Sequence, residues 1–487
     1  MGNSIFLKRI QVTKLFNKFT YDINLENGYN VAILIGPNGF GKTTIFNLVD
    51  FIFKPNVSKF KKISIIPFEN CICTLSNGNK IELESRNTKK SKRKKNEKLS
   101  KQPLYDIRSE IELASSESEE KTIFLKIIDG KTNPPLMNIS AQIEEAIKFI
   151  NNIDESPFIP IPDYILERYM EDMDCDEFLL RDIPPRYRMP LTKLSIQFNN
   201  ISKFIEKYNC KFDINFISAD RLYKQNIPFK IRENYGAIYS RIYDRRELNN
   251  PLFVIQERVK YLYNKTDAEY KKLVSEARDK LPKMFLNTHN KTKMTFDEFK
   301  KSWEEYVNDM EKYYELGLLE SNQTIIEKSE LEKSFKDNGA FLSVYLEAFK
   351  STLEPWNKQY KKMKLFADIL NKRNKISGKI LKYGVTGLII HVEERYIPLE
   401  CLSSGEKNDL IMFYNLIFNS ENGGLVMIDE PEISLHIEWQ EEYIDWLLKI
   451  CEMNKLQAIV ATHSPNIVNG HFELYAERGL QDGSKRD

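Results

Sequence analysis

The apolar run Val31-Ala32-Ile33-Leu34-Ile35 passes straight into Gly36-Pro37-Asn38-Gly39-Phe40-Gly41-Lys42-Thr43-Thr44. No other stretch limits the possible folds of this chain as strongly. Five apolar residues in a row read as a buried strand, the glycines as a tight turn, and Thr44 onward as a helix. The spacing fits the phosphate-loop pattern G-x-x-x-x-G-K-[ST]. Its residue types follow from the task of cradling phosphates. Glycines let successive backbone N–H groups point inward, and the helix N-terminus adds its partial positive charge. Lys42 can reach β- and γ-phosphates, and the Thr43 hydroxyl can ligate Mg²⁺. Gly36, Pro37, Asn38, Gly39, Gly41, Lys42, Thr43 and Thr44 are therefore the candidate nucleotide-binding residues, with ATP and Mg²⁺ as the expected cofactors. A chance glycine turn before a helix is the competing account, and the strand in front with the helix behind argues against it.

A chain of 487 residues is too long for one ordinary domain, so two or three are expected. Lys and Arg total 72 against 70 Asp and Glu, a formal charge of +2, so bulk charge points neither towards nor away from nucleic acid. No run approaches the roughly 18 apolar residues of a membrane span, and the first residues lack the apolar core of a signal peptide. Six cysteines lie scattered without metal-site spacing, and Cys71-x-Cys73 reads as alternate positions of one strand. These features suggest a cytoplasmic protein with reduced thiols.

Along the chain, residues 4–35 read as a strand, a turn around Gly28 and the buried strand already described. A helix over 44–53 follows. Strands are expected at Ile63-Ser64-Ile65-Ile66, Cys71 to Leu75 and Lys80 to Leu83, the last two joined by Ser76-Asn77-Gly78-Asn79. The run Lys89 to Lys95 is almost purely basic. It suits either phosphate-backbone contact or a solvated loop. Lys121 to Asp129 and Ile214 to Ile217 read as further strands. The acidic patch Glu171-Asp172-Met173-Asp174 has no histidine beside it and reads as solvated surface. From Leu252 to Asn374 the pattern is helical, with a capping-box start at Thr295-Phe296-Asp297-Glu298. Trp303 and Trp356 on those helices read as core. Strands resume at Lys379–Val385, Gly387–Val392 and Tyr396–Leu399.

A second block carries chemistry. Leu402-Ser403-Ser404-Gly405-Glu406 precedes a helix beginning near Lys407. Leu425-Val426-Met427-Ile428 is an apolar strand ending in Asp429-Glu430-Pro431-Glu432, and Ser434-Leu435-His436 leads into a helix carrying Trp439 and Trp446. Ala458 to Ala461 is one more buried strand, ending at Thr462-His463-Ser464-Pro465. Acids at the end of a buried strand do not belong in a core and must face a polar site at the sheet's carboxyl edge. Asp429 can hold the Mg²⁺ shell, Glu430 can polarise the attacking water and His463 can touch the γ-phosphate.

The order phosphate loop, LSSGE, LVMIDEPE, SLH, ATHSP resembles the ATP-binding-cassette ATPases of the structural-maintenance-of-chromosomes, Rad50 and RecF kind. It is most similar to the group related to the overcoming-lysogenization-defect proteins. The resemblance covers roughly residues 1–130 and 375–475. It implies an α/β fold: a phosphate-loop ATPase head with a mixed sheet and an antiparallel β-subdomain, interrupted by a large helical insertion. The implied divisions are 1–135, 136–375 and 376–487. It also implies that Ser403, Ser404, Gly405 and Glu406 complete the ATP site of a neighbouring subunit, so that hydrolysis needs a homodimer or higher homo-oligomer. Gln142 is the candidate for the family's glutamine loop. Overcoming-lysogenization-defect nucleases carry a Toprim domain after the corresponding histidine, whereas 24 residues follow His463 here. That favours a nuclease-free relative, similar to the ATPase subunits AriA and PtuA of the PARIS and Septu anti-phage systems, which act with a separately encoded nuclease. The LSSGE-K and SLH-x-x-W-Q phrasing leans towards AriA. The implied partners are a nuclease effector and a phage-encoded trigger. The rival expectation is a RecF-like ATPase that clamps DNA in repair or recombination.

Overall fold

The apolar residues that follow one another without alternation end up in one small sheet. β3 (Val31–Ile35), β13 (Gln457–Thr462), β12 (Leu425–Asp429) and β8 (Ile214–Ile217) form it in that order, with strands numbered along the chain. All three pairings are parallel, with Leu34 opposite Ala461 and Asp429 opposite Ala461 on the other side. A parallel strand covered on both faces has to be apolar throughout, and β12 and β13 are buried at every position. Because the strands share one direction, their carboxyl ends meet at one edge. The computed structural model describes residues 5–26, 30–88, 120–128, 137–140, 198–208, 210–219, 250–287, 294–320, 328–375, 377–420, 423–476 and 480–481.

The second sheet is antiparallel and seven-stranded, in the order β14 (Leu480–Gln481), β2 (Phe19–Asn24), β1 (Leu7–Leu15), β4 (Asn70–Leu75), β5 (Lys80–Thr88), β6 (Glu120–Ile128), β7 (Met137–Asn138). β1 and β4 alternate buried and partly exposed positions, as a sheet covered on one face does. Cys71 and Cys73 are both buried on β4, on the same face. The two sheets are stitched by Gln457, whose side chain accepts from Leu7 N and donates to Leu7 O, both at 2.8 Å. α1 (Lys42–Phe53) lies between them, burying Ile45, Phe46, Leu48, Val49, Phe51 and Ile52.

Contacts divide the chain into residues 1–235 with 419–487, and residues 236–418. The sequence suggested divisions at 135 and 375. β8 lies between those positions, yet its Ile214–Ile217 backbone pairs with β12 and completes the parallel sheet of the first unit. One expected strand is instead helix: α2 (Val57–Ser64) contains Ile63 and Ser64. Its start is fixed by Asn56, whose side chain accepts from Lys59 N at 2.8 Å, and Lys59 pairs with the buried carboxylate of Asp50 at 2.9 Å.

The second unit is built on α3 (Pro251–Asn287), α4 (Phe296–Glu315), α5 (Lys328–Thr352) and α6 (Glu354–Arg373). The capping box at Thr295 and Glu298 is formed. Trp303 and Trp356 are buried, Trp356 fully, and its ring meets Tyr263 at 5.3 Å, so both tryptophans are core. A three-stranded antiparallel sheet of β11 (Arg395–Ile397), β10 (Gly387–Val392) and β9 (Lys379–Gly384) belongs to this unit. Gln256 of α3 ties it down, donating to Thr386 O and Leu388 O and accepting from Leu388 N. The architecture is thus the expected mixed α/β head with an antiparallel subdomain and a helical region. The basic run from Lys89, the Glu171–Asp174 patch and Gln142 lie outside the described residues.

Candidate nucleotide-binding site

The phosphate loop leaves β3 at Ile35 and turns on glycines at positive φ, +85° at Gly39 and +84° at Gly41. Gly41 is also the residue before α1, and a Cβ there would meet Leu15 Cδ2 at 2.7 Å and Phe16 Cε2 at 2.9 Å. Both reasons exclude a larger residue. The antiparallel sheet braces the loop from outside: Tyr21 donates its hydroxyl to the Phe40 carbonyl, and the Phe19 and Phe40 rings lie 5.0 Å apart. Pro37, Asn38, Gly39 and Thr43 are exposed and Gly36, Gly41 and Thr44 partly so, leaving the loop's rim open.

Lys42 is buried, and its ammonium donates to the carbonyls of Gly36 at 2.6 Å and Pro37 at 3.0 Å. Burial holds its ammonium below the ordinary lysine value, opposed by the charges of Glu430, Asp429 and Glu432. Thr43 donates its hydroxyl to Asp429 Oδ2 at 2.7 Å across a sequence gap of 386 residues. Asp429 is buried at the end of β12, and burial lifts its carboxyl above the usual range despite the Thr43 hydrogen bond. A hydroxyl and a carboxylate side by side are the hard oxygen donors that Mg²⁺ takes. No group of three or more His, Cys, Asp or Glu forms an all-protein cage among the described residues. Mg²⁺ held by few side chains and completed by phosphate and water fits this pair.

Glu430 follows with φ +44° and ψ +60°, a left-handed conformation uncommon outside glycine, and its N–H bonds Ala461 O at 2.8 Å. Backbone strain of that kind is held in place by its surroundings and concentrates at working sites. The turn sends the chain into the 3₁₀ segment Pro431–Ser434, which carries Glu432 back beneath the sheet edge. Glu432 is buried; its Oε1 accepts from Thr462 Oγ1 at 2.7 Å and His463 N at 2.8 Å and lies 3.0 Å from His463 Nδ1. Ser464 donates to Gln440 Oε1 at 2.7 Å, and Gln440 donates to Leu435 O at 3.0 Å. The sequence reading missed Glu432 as a site residue. Its signal was a third acid after a strand that has no room for any.

The structure therefore brings Lys42, Thr43, Asp429, Glu430 and His463 to one sheet edge. Ser403, Ser404, Gly405 and Glu406 are held in the second unit. Ser403 and Glu406 form a capping box at the start of α7 (Ser404–Tyr414), so the helix begins three residues before the expected Lys407. Glu406 also pairs with Lys379 at 2.6 Å, and Arg373 pairs with buried Asp409 at 2.8 Å. Trp439 and Trp446 lie on separate helices, residues 437–440 and α8 (Tyr443–Asn454).

The glycine loop, the Thr43–Asp429 hydroxyl–carboxylate pair and a second acid, Glu430, directly after it at the end of β12 have the residue types and placement of a phosphate-loop nucleotide site. The chain belongs to the AAA ATPase domain family, whose model matches residues 14–468. The Septu protein PtuA of Bacillus thuringiensis is 33% identical over 108 residues, which is 20% of this chain and 27% of that protein. The matched segment thus spans about a quarter of that relative's length. A solved structure of an SmcHead bound to the C-winged helix domain of ScpA superposes over 95% of this chain and 90% of its own, with TM-score 0.34 and 10% identity. No described helix is long and apolar enough to cross a membrane.

Proposed function

We propose that this chain binds and hydrolyses ATP as the regulatory ATPase of a bacterial anti-phage system, oligomerising to control a separately encoded nuclease. The observation that carries the ATPase part is the Thr43–Asp429 hydrogen bond, which joins the phosphate loop to the acid strand at the metal position. On nucleotide binding, Lys42 exchanges the Gly36 and Pro37 carbonyls for phosphate oxygens, a swap needing only side-chain rotation. Bound Mg²⁺ would neutralise charge on the β- and γ-phosphates. Glu430, fixed by its strained backbone, orients the attacking water, and His463 contacts the γ-phosphate. Ser404 and Gly405, at the start of α7, complete the site of a second copy, where a helix N-terminus favours an anion.

The defence role is supported by the similarity to PtuA, and the sequence resemblance adds AriA of PARIS as the nearer functional counterpart. In this role ATP occupancy sets whether the effector is held or released, and a phage protein is the trigger. The purified chain should hydrolyse ATP yet leave plasmid, phage DNA and total RNA intact with Mg²⁺ or Mn²⁺. Cleavage should appear when the product of the neighbouring gene is added. Cleavage by the chain alone that vanishes on mutating an acid outside the ATP site would contradict this reading.

A further inference from the structure

Glu432 is not accounted for by the reaction just described, although it touches the histidine the reaction uses. One oxygen, Oε1, serves the Thr462 hydroxyl, the His463 N–H and the His463 ring at 2.7, 2.8 and 3.0 Å. The other, Oε2, is buried and takes no hydrogen bond among the described residues. A buried carboxylate that places three contacts on one oxygen costs stability unless those contacts do something. The Glu432 side chain is 5% exposed whereas the His463 ring is 46% exposed, so the carboxylate is a fixed anchor and the ring is the part with freedom to turn. The backbone contact to His463 N pins the residue, and the ring contact selects one edge. A carboxylate accepts only, so the ring nitrogen facing it must carry the proton. Nε2, on the far side of the ring, is then the nitrogen left for the nucleotide.

We propose that Glu432 is a positioning residue that sets the rotation and the tautomer of His463, linking the acid turn after β12 to the end of β13. The proposal rests on the reading of His463 as a nucleotide-facing group, but its spectroscopic test does not. Neutral imidazole left to itself favours the Nε2–H form; a carboxylate at Nδ1 reverses that choice, as carboxylate partners of ligand and catalytic histidines do.

The test uses the full chain with ¹⁵N-labelled histidine, the His463 signal being assigned as the one lost in His463→Gln. In the wild type, Nδ1 should give the protonated and Nε2 the unprotonated ring shift; in Glu432→Ala the Nε2–H form should take over. Glu432→Gln, whose amide oxygen still accepts, should keep the wild-type form and so guard against a variant that fails to fold. Kinetics supply the second arm. Glu432→Ala should lower kcat for ATP about as much as His463→Gln with KM little changed, and the double variant should be no slower than the worse single one within about twofold. An unchanged His463 spectrum in folded Glu432→Ala would overturn the proposal, as would losses that multiply in the double variant. If His463→Gln turns over ATP normally, the reading of His463 falls, and the ring spectrum still decides the role of Glu432.

Discussion

Gly41 shows how one residue joins backbone conformation to function. Its φ of +84° costs a side chain about 1–2 kcal/mol, and the Leu15 and Phe16 side chains leave no space for a methyl group. Gly41→Ala should therefore weaken MgATP binding by tenfold or more and lower the melting temperature, both measurable in one ligand-dependent thermal shift series. Asp429 works in the opposite sense. Burial lifts its carboxyl above the usual range, so without nucleotide its charge destabilises the folded state at neutral pH. Stability from this group is gained as pH falls through the raised value, where the folded state holds a proton the unfolded chain releases. Asp429→Asn, which keeps an acceptor for Thr43, should raise the melting temperature of the nucleotide-free protein. The same variant should abolish the extra stabilisation given by ATP with Mg²⁺. A lower melting temperature without nucleotide would refute the cost assigned to the charge. These residues were legible in the sequence because their chemistry is local: a glycine turn must follow a strand, and acids must end one. Glu432 was not, because its partners Thr462 and His463 lie 30 and 31 residues away and meet it only once β12 and β13 pair.

At the scale of elements, the start of α7 carries a pH prediction. Burial opposes the charge on Glu406, yet hydrogen bonds from Lys379 and Ser403 outweigh it and hold the carboxyl below its ordinary range. A depressed carboxyl stabilises the fold above its unfolded value, near pH 4.3, and that contribution disappears as pH falls through the folded value. Protection of the first-turn amides of α7, taken relative to their intrinsic exchange rates at each pH, should fall below about pH 4, and Lys379→Met should move that onset upward. Protection factors that stay constant with pH in this window would refute the cap as its cause. The strand–helix pattern around it was readable from capping chemistry, and even the three-residue error in the helix start follows from that chemistry, since Ser403 and Glu406 have the spacing of a capping box. α2 was misread because Ile63, Ile65 and Ile66 imitate a strand, while its true start depends on Asn56 and a tertiary ion pair. Gln457 gave no signal at all. Gln457→Leu strands the Leu7 N–H and carbonyl in the core, at about 1–3 kcal/mol each, and should lower the melting temperature clearly more than a surface Gln→Leu change.

At the scale of the whole molecule, the proposed reaction needs two copies. Ser404→Arg should stop turnover while leaving nucleotide binding by one copy nearly intact. Mixed with Lys42→Ala it should recover part of the activity, because one interface then has two sound halves. A mixed dimer that forms without recovery would argue against a shared site. The division of the chain into a sheet unit and a helical unit was only partly readable, since β8 joins the parallel sheet from within what looked like an insertion. A segment as short as Ile214–Ile217 carries no mark of the strand it will pair with. The proposed function stands or falls with ATP hydrolysis at the edge formed by Lys42, Thr43, Asp429 and Glu430. Steady-state ATP turnover beside equilibrium ATP binding, for the wild type, Lys42→Ala and Glu430→Gln, tests it most directly. Lys42→Ala should lose binding, while Glu430→Gln should bind ATP like the wild type and turn it over about 10²–10⁴-fold more slowly. Undiminished turnover by Glu430→Gln would contradict the account.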